Sequence, residues 1–127
     1  MGNQVIRLMN KEGVLVKDAK ILVLGVTFKE NCLDVRNTKV VDIYTTLEEY
    51  TNNITVCDPW ADSVKVEKEY GISIVPTIAD SEKFDAVILA VSHKEFADTD
   101  WRKHLTEHGV IYDVKGALER EQVDERL

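Results

Sequence analysis

The sequence predicts an α/β domain built on a doubly wound parallel sheet, and three observations carry that prediction. Two nearly continuous apolar runs, Lys20–Val26 (KILVLGV) and Asp85–Val91 (DAVILAV), have the pattern of strands buried on both faces. Stretches with helical spacing alternate with further short apolar runs, and that alternation implies right-handed crossovers between parallel strands. Finally, 127 residues with no repeat and no low-complexity segment fit one domain with one real core. The expected architecture is three layers around about five strands.

Taken in order, Asn3–Lys11 reads as a short helix with Val5, Ile6, Leu8 and Met9 as its apolar positions and Gly13 as its stop. It is too short to stand alone, so its apolar face needs a partner. Lys20–Val26 is the first strand, followed by a polar loop from Thr27 to Asn37. Lys39–Tyr50 is a helix whose broad face carries Val40, Val41, Ile43, Tyr44 and Leu47. Asn37 or Thr38 can cap its start. Ile54–Cys57 is the second strand, ended by Asp58-Pro59, because proline cannot continue a central strand and suits the first turn of a helix. Ala61–Tyr70 is that helix, stopped by Gly71. Ile72–Val75 is the third strand and Thr77–Lys83 a short helix or turn. Asp85–Val91 is the fourth strand. Trp101–His108 reads as a helix ended by Gly109, and Val110–Asp113 as the fifth strand. The charged tail from Ala117 to Leu127 is a last helix or a frayed end.

Composition narrows the function. Sixteen Lys and Arg against 23 Asp and Glu give a formal charge of −7, and no basic cluster is present, which argues against nucleic acid as a partner. No apolar run reaches about 18 residues, and no basic region precedes an apolar stretch at the start, so neither a membrane span nor a secretory signal is expected. Cys32 and Cys57 form no C-x-x-C pair and have no zinc-like spacing, as suits free thiols in a reducing cytoplasm. No metal site is expected. Cys32, with Lys29 and Arg36 near it in sequence, also has the surroundings of a reactive thiol.

Ligands of doubly wound sheets bind beyond the carboxyl ends of the strands. Those ends carry Thr27-Phe28-Lys29, Asp58-Pro59, Ser92-His93-Lys94 and Asp113-Val114-Lys115-Gly116. A dinucleotide site in a Rossmann-like sheet needs G-x-G-x-x-G after the first strand. Here Gly25 stands alone, with bulky residues where the other glycines belong, although Asp58 ends the second strand where a ribose-binding acid would sit. A phosphoacceptor module needs paired acids after the first strand, and these are missing. The loop TFKENCLDVRN remains. Lys29 and Arg36 beside a helix N-terminus suit a phosphate or pyrophosphate. The same two cations also fit solvated charges paired with Glu30 and Asp34.

The stretch Gly25-Val26-Thr27-Phe28-Lys29-Glu30-Asn31, with Asp34, Arg36 and Asn37, resembles the C-terminal domain of the UDP-glucose/GDP-mannose dehydrogenase family. The resemblance continues through Val56-Cys57-Asp58-Pro59, Ala90-Val91-Ser92-His93-Lys94-Glu95-Phe96 and Tyr112-Asp113-Val114-Lys115-Gly116. It runs in the family's order from about Val16 to Leu118. Asn31-Cys32-x-Asp34 is most similar to the branch acting on UDP-N-acetylhexosamines. Such enzymes oxidise the C6 alcohol of a nucleotide sugar to a carboxylate, using two NAD⁺ and a cysteine nucleophile, and supply surface polysaccharide precursors.

The resemblance implies that NAD and the catalytic cysteine belong to an N-terminal domain outside this chain, so Cys32 is not that cysteine and no cofactor is expected here. Residues 1–15 would be the end of a linking helix, with an apolar surface left uncovered, and residues 16–127 a nucleotide-sugar-binding domain. Met1-Gly2 would be an added start. Phe28 and Lys29 match the substrate-contacting pair, Arg36 the arginine closing that loop, and Lys115 a basic residue facing the phosphates. Gly116 stands where some members have a second arginine. His93 faces the same edge, either on the ligand or as a hydrogen-bonded loop histidine. The implied partners are a UDP-sugar and the N-terminal domain of the same protein, in a cytoplasmic homo-oligomer; the piece alone would have no dehydrogenase activity. The alternative is a non-catalytic nucleotide- or CoA-binding module, or an interaction domain.

Overall fold

A computed structural model of the chain describes residues 2–13, 16–17, 19–27, 40–91, 93–97, 99–113 and 125–126. Its elements are α1 (Gly2–Lys11), β1 (Ile21–Leu24), α2 (Val40–Glu48), β2 (Ile54–Cys57), α3 (Ser63–Tyr70), β3 (Ile74–Val75), β4 (Phe84–Leu89), α4 (Lys94–Ala97), β5 (Leu105–Asp113) and β6 (Glu125–Arg126), with a 3-10 turn at Trp101–His104. The strands form one sheet in the order β3-β2-β1-β4-β5-β6, and every pairing is parallel. The chain order reverses between β1 and β4, which is the switch point of a Rossmann-like sheet.

Alternation along the central strands explains the near-continuous apolar runs. Ile21 and Val23 face one core with Ala86 and Ile88, while Leu22 and Leu24 face another with Val87 and Leu89. Ile21, Leu22, Val23 and Leu24 are all fully buried. The first core is covered by α1, α2 and α3, which contribute Ile6, Met9, Ile43, Leu47 and Val66. The second is thinner, closed by Phe96 of α4, Trp101 and, at its margin, Ile78. The expected three layers are present, but one of them is made mostly of short turns.

Five expectations are corrected. Ile6, Leu8 and Met9 of α1 are buried within this chain's own core beside α2, rather than left uncovered. The α3 helix begins at Ser63, not Ala61, because the Asp62 side chain accepts from the Val64 and Lys65 N–H groups and caps it. The stretch expected as a helix from Trp101 to His108 is a single 3-10 turn followed directly by β5. Gly109 lies inside β5 rather than ending a helix: Phe84 pairs with Leu105 but Ala86 with Val110, and a Cβ on Gly109 would lie 2.9 Å from Leu105 Cβ and 3.0 Å from the Phe84 carbonyl oxygen. Lastly, the tail adds a sixth strand, with Glu125 and Arg126 beside Tyr112 and Asp113.

The Asp62 cap carries a simple expectation. Asp62→Ala leaves two N-terminal N–H groups of α3 without their acceptor and should cost about 1 kcal/mol. Urea unfolding should show a lower midpoint with an unchanged slope.

Candidate functional site at the strand ends

The carboxyl ends of β1, β2 and β4 are tied together by backbone before any side chain acts. Ala90 and Val91 N–H groups donate to the Leu24 carbonyl at 2.9 and 3.1 Å, and Gly25 N–H donates to the Cys57 carbonyl at 2.8 Å. Gly25 has φ +95°, and a Cβ there would lie 2.5 Å from Val91 Cβ. This glycine therefore serves the close approach of two strand ends. It is also the only glycine between Gly13 and Gly71, so no glycine-rich phosphate loop follows β1.

Asp58, the first residue after β2, is the hub of these ends. Its side chain is fully buried. Oδ2 accepts from Val26 N–H at 2.7 Å and Thr27 N–H at 3.2 Å, and lies 3.0 Å from His93 Nε2. Oδ1 accepts from Trp60 N–H at 2.7 Å and Ala61 N–H at 2.9 Å. A carboxylate offers about four acceptor positions, so these donors saturate it. Burial pushes the Asp58 carboxyl up, but the hydrogen bonds from His93, Val26 and Trp60 outweigh burial and hold it below the usual carboxylate range. An ionised Asp58 can only accept, so His93 Nε2 carries the hydrogen between them. The acid that ends β2 is thus consumed internally and has no capacity left for ribose hydroxyls.

His93 is 1% exposed, and its Nε2 also lies 3.1 Å from Thr27 Oγ1. Trp60 stacks on the His93 ring at 6.1 Å and donates its indole N–H to Glu95 at 2.8 Å, and Lys94 Nζ sits 5.5 Å from the Trp60 ring. That indole N–H bond holds Glu95 below its usual value. The loops after β1, β2 and β4 are therefore fastened at one point.

Of the residues expected at the site, His93 is brought to this hub with Asp58 and Thr27. Phe28, Lys29, Arg36 and Lys115 lie outside the described residues, as does Cys32. The sequence reading missed the hub and Trp60. The signal was there in the Asp58-Pro59 and Ser92-His93-Lys94 strand ends, since a sheet that places β2 and β4 on either side of β1 brings both motifs to Thr27. Among the described residues no group of three or more His, Cys, Asp or Glu could hold a metal ion, and no helix is long and apolar enough to cross a membrane.

Cys57 is buried, with its Sγ 3.6 Å from the Pro76 carbonyl. Burial first, then the charges of Asp58 and Glu82, push its thiol up to about 12. It should not react with a thiol reagent at neutral pH while the chain is folded. The check is labelling of a Cys32→Ser variant, native and then in denaturant; rapid native labelling would contradict the burial.

This strand order and the fastened strand ends define a Rossmann-like α/β domain that dispenses with the glycine-rich loop. The chain belongs to the UDP-glucose/GDP-mannose dehydrogenase family, whose UDP binding domain it matches over residues 22–120. It is 41% identical over 134 aligned positions to a UDP-N-acetyl-D-glucosamine 6-dehydrogenase of Salmonella typhi, covering all of this chain and 31% of that relative. It is 42% identical to a Pseudomonas aeruginosa protein of the same name, covering 98% of this chain and 30% of the relative. The chain thus spans about a third of the length of these curated relatives. A UDP-D-ManNAc dehydrogenase structure from Pyrococcus horikoshii shares the fold with TM-score 0.76 at 19% identity, over 98% of this chain and 29% of that one.

Proposed function

We propose that this chain is the substrate-nucleotide portion of an NAD-dependent UDP-sugar 6-dehydrogenase acting on a UDP-N-acetylhexosamine in the cytoplasm, for surface polysaccharide precursors. The observation that carries the reading is the identity to UDP-N-acetyl-D-glucosamine 6-dehydrogenases along essentially the whole chain. The buried, saturated Asp58 supports it too, because a dinucleotide has no ribose acceptor at β2. In this reading Phe28 and Lys29 contact the nucleotide and sugar, and Arg36 and Lys115 face the phosphates. His93 stands at Thr27, where the chain leaves β1.

The whole enzyme would oxidise the sugar's C6 alcohol to an aldehyde and then, with water supplying the second oxygen, to a carboxylate, passing one hydride to each of two NAD⁺. The cysteine and the NAD site would come from the N-terminal part of the same protein, within a homo-oligomer. This chain's contribution is binding energy from the non-reacting nucleotide, which orients C6 against those groups. Alone it should reduce no NAD⁺.

Amide-resolved NMR titration with UDP, and with GDP and NAD⁺ as controls, tests the reading. Saturable shifts with UDP across 27–37 and 114–116 are expected. Shifts with NAD⁺ in place of UDP, a preference for adenine nucleotides, or NAD⁺ reduction by this chain with a UDP-sugar would overturn it.

A further inference from the structure

The Asp58–His93 pair holds the chain beyond the end of β1 as well as the strand ends themselves. A backbone already ties β1 to β2 and β4 through Gly25, Ala90 and Val91. The pair acts one step further out. Asp58 Oδ2 takes the N–H groups of both Val26 and Thr27, and His93 Nε2 reaches the same oxygen and Thr27 Oγ1. Thr27 is followed in sequence by Phe28 and then Lys29. All three partners are buried, Thr27 to 1% exposure, Asp58 to 2% and His93 to 1%. Two backbone donors and one hydroxyl thus fix both the position and the direction in which the chain leaves β1.

We propose that Asp58 and His93 are positioning residues for UDP binding, setting the exit of the chain at Val26–Thr27, the root of the loop that follows β1. This rests on the UDP-binding reading above. His93 fixes Asp58 from the β4 side, and Asp58 fixes the two N–H groups. The benefit is preorganisation: a loop whose root is already set loses less freedom when ligand binds. Trp60, which stacks on His93 and donates its own N–H to Asp58, joins the β2 loop to the same point.

Three variants of the full chain test this, each titrated with UDP by NMR well below its own Tm. His93→Leu keeps an apolar group of similar bulk and removes the bond to Asp58; UDP affinity should fall roughly tenfold. His93→Gln can return an N–H to Asp58 and should recover most of that loss. Phe84→Leu, at the opposite end of β4, should lower Tm while leaving UDP affinity unchanged. Amide exchange at Val26 and Thr27 should quicken in His93→Leu and not in Phe84→Leu. If His93→Leu binds UDP as wild type does, or if Phe84→Leu weakens UDP equally, the positioning role is refuted while UDP binding stands. A wild-type chain that shows no UDP shifts refutes the underlying reading, and this proposal falls with it.

Discussion

Asp58→Ala is expected to bring the chain to the edge of unfolding. The substitution leaves the Val26, Thr27, Trp60 and Ala61 N–H groups and His93 Nε2 without their acceptor, all at a buried point. Removing one partner of such a buried charged network costs about 3–5 kcal/mol, partly offset where water enters. A small domain has only about 5–15 kcal/mol in total. Asn is no rescue. Its single oxygen can serve one set of donors, but its amide NH₂ then points at the other set.

The same residue predicts the response to acid. The folded Asp58 carboxyl lies below its ordinary value. Its stabilising contribution is therefore complete above the unfolded carboxylate's value and is lost as pH falls toward the folded one. The stability gap between wild type and Asp58→Asn should be constant near neutrality and should shrink below about pH 4. Urea midpoints measured across that range check the sign. A gap that widens on acidification would mean that the carboxyl is not held ionised by its donors.

Gly25→Ala should be nearly as damaging, for steric reasons alone. At φ +95° an L side chain is strained by about 1–2 kcal/mol. The new Cβ would also sit 2.5 Å from Val91 Cβ and 3.0 Å from the Val91 nitrogen. Neither side can yield, because Gly25 N–H is bonded to Cys57 and Val91 N–H to Leu24. Overpacking adds about 1–3 kcal/mol, so the Tm should fall by about 10 °C or more. Val91→Ala should not restore it, since the clash is with a Cβ that alanine retains. Full rescue by that second change would show that the strand ends can slide.

Some of this was open to reading in the sequence and some was not, for reasons that differ by residue. β1 and β4 were legible because both faces are buried, so their apolar runs need no periodicity to stand out. α3 was legible from Gly71, which takes φ +69° after the last turn. The start of β5 was hidden. Leu105-Thr106-Glu107-His108 is only partly covered, so its polar residues resemble a helix surface, and Gly109 looked like a stop. Its true requirement is space beside Leu105 of the same strand and beside the Phe84 carbonyl, which comes from a strand elsewhere in the chain. Asp58 was visible as a strand-end acid, but its use depended on His93, 35 residues later. A sequence lists both; only the strand order makes them neighbours. For Lys29 and Arg36 the local pattern fitted a phosphate and solvated charges equally, and the motif resemblance chose between the two and added roles for Phe28 and Lys115.

The position of β1 also governs how the chain can be made. Its two neighbours are both later in sequence: β2 pairs with it through Ile54, and β4 through Ala86. As a ribosome releases the chain, β1, α2, β2, α3 and β3 can assemble into a three-stranded half-sheet. Until β4 emerges, the other edge of β1 presents open backbone and buried-type apolar side chains to solvent. Parallel pairing of distant segments is slow and leaves such edges exposed longest. Anything that delays residues 84–89, such as a pause in translation, extends the interval in which two nascent chains can pair through β1. Soluble yield should then respond to the pace at which the fourth strand is delivered, even where the finished fold is equally stable.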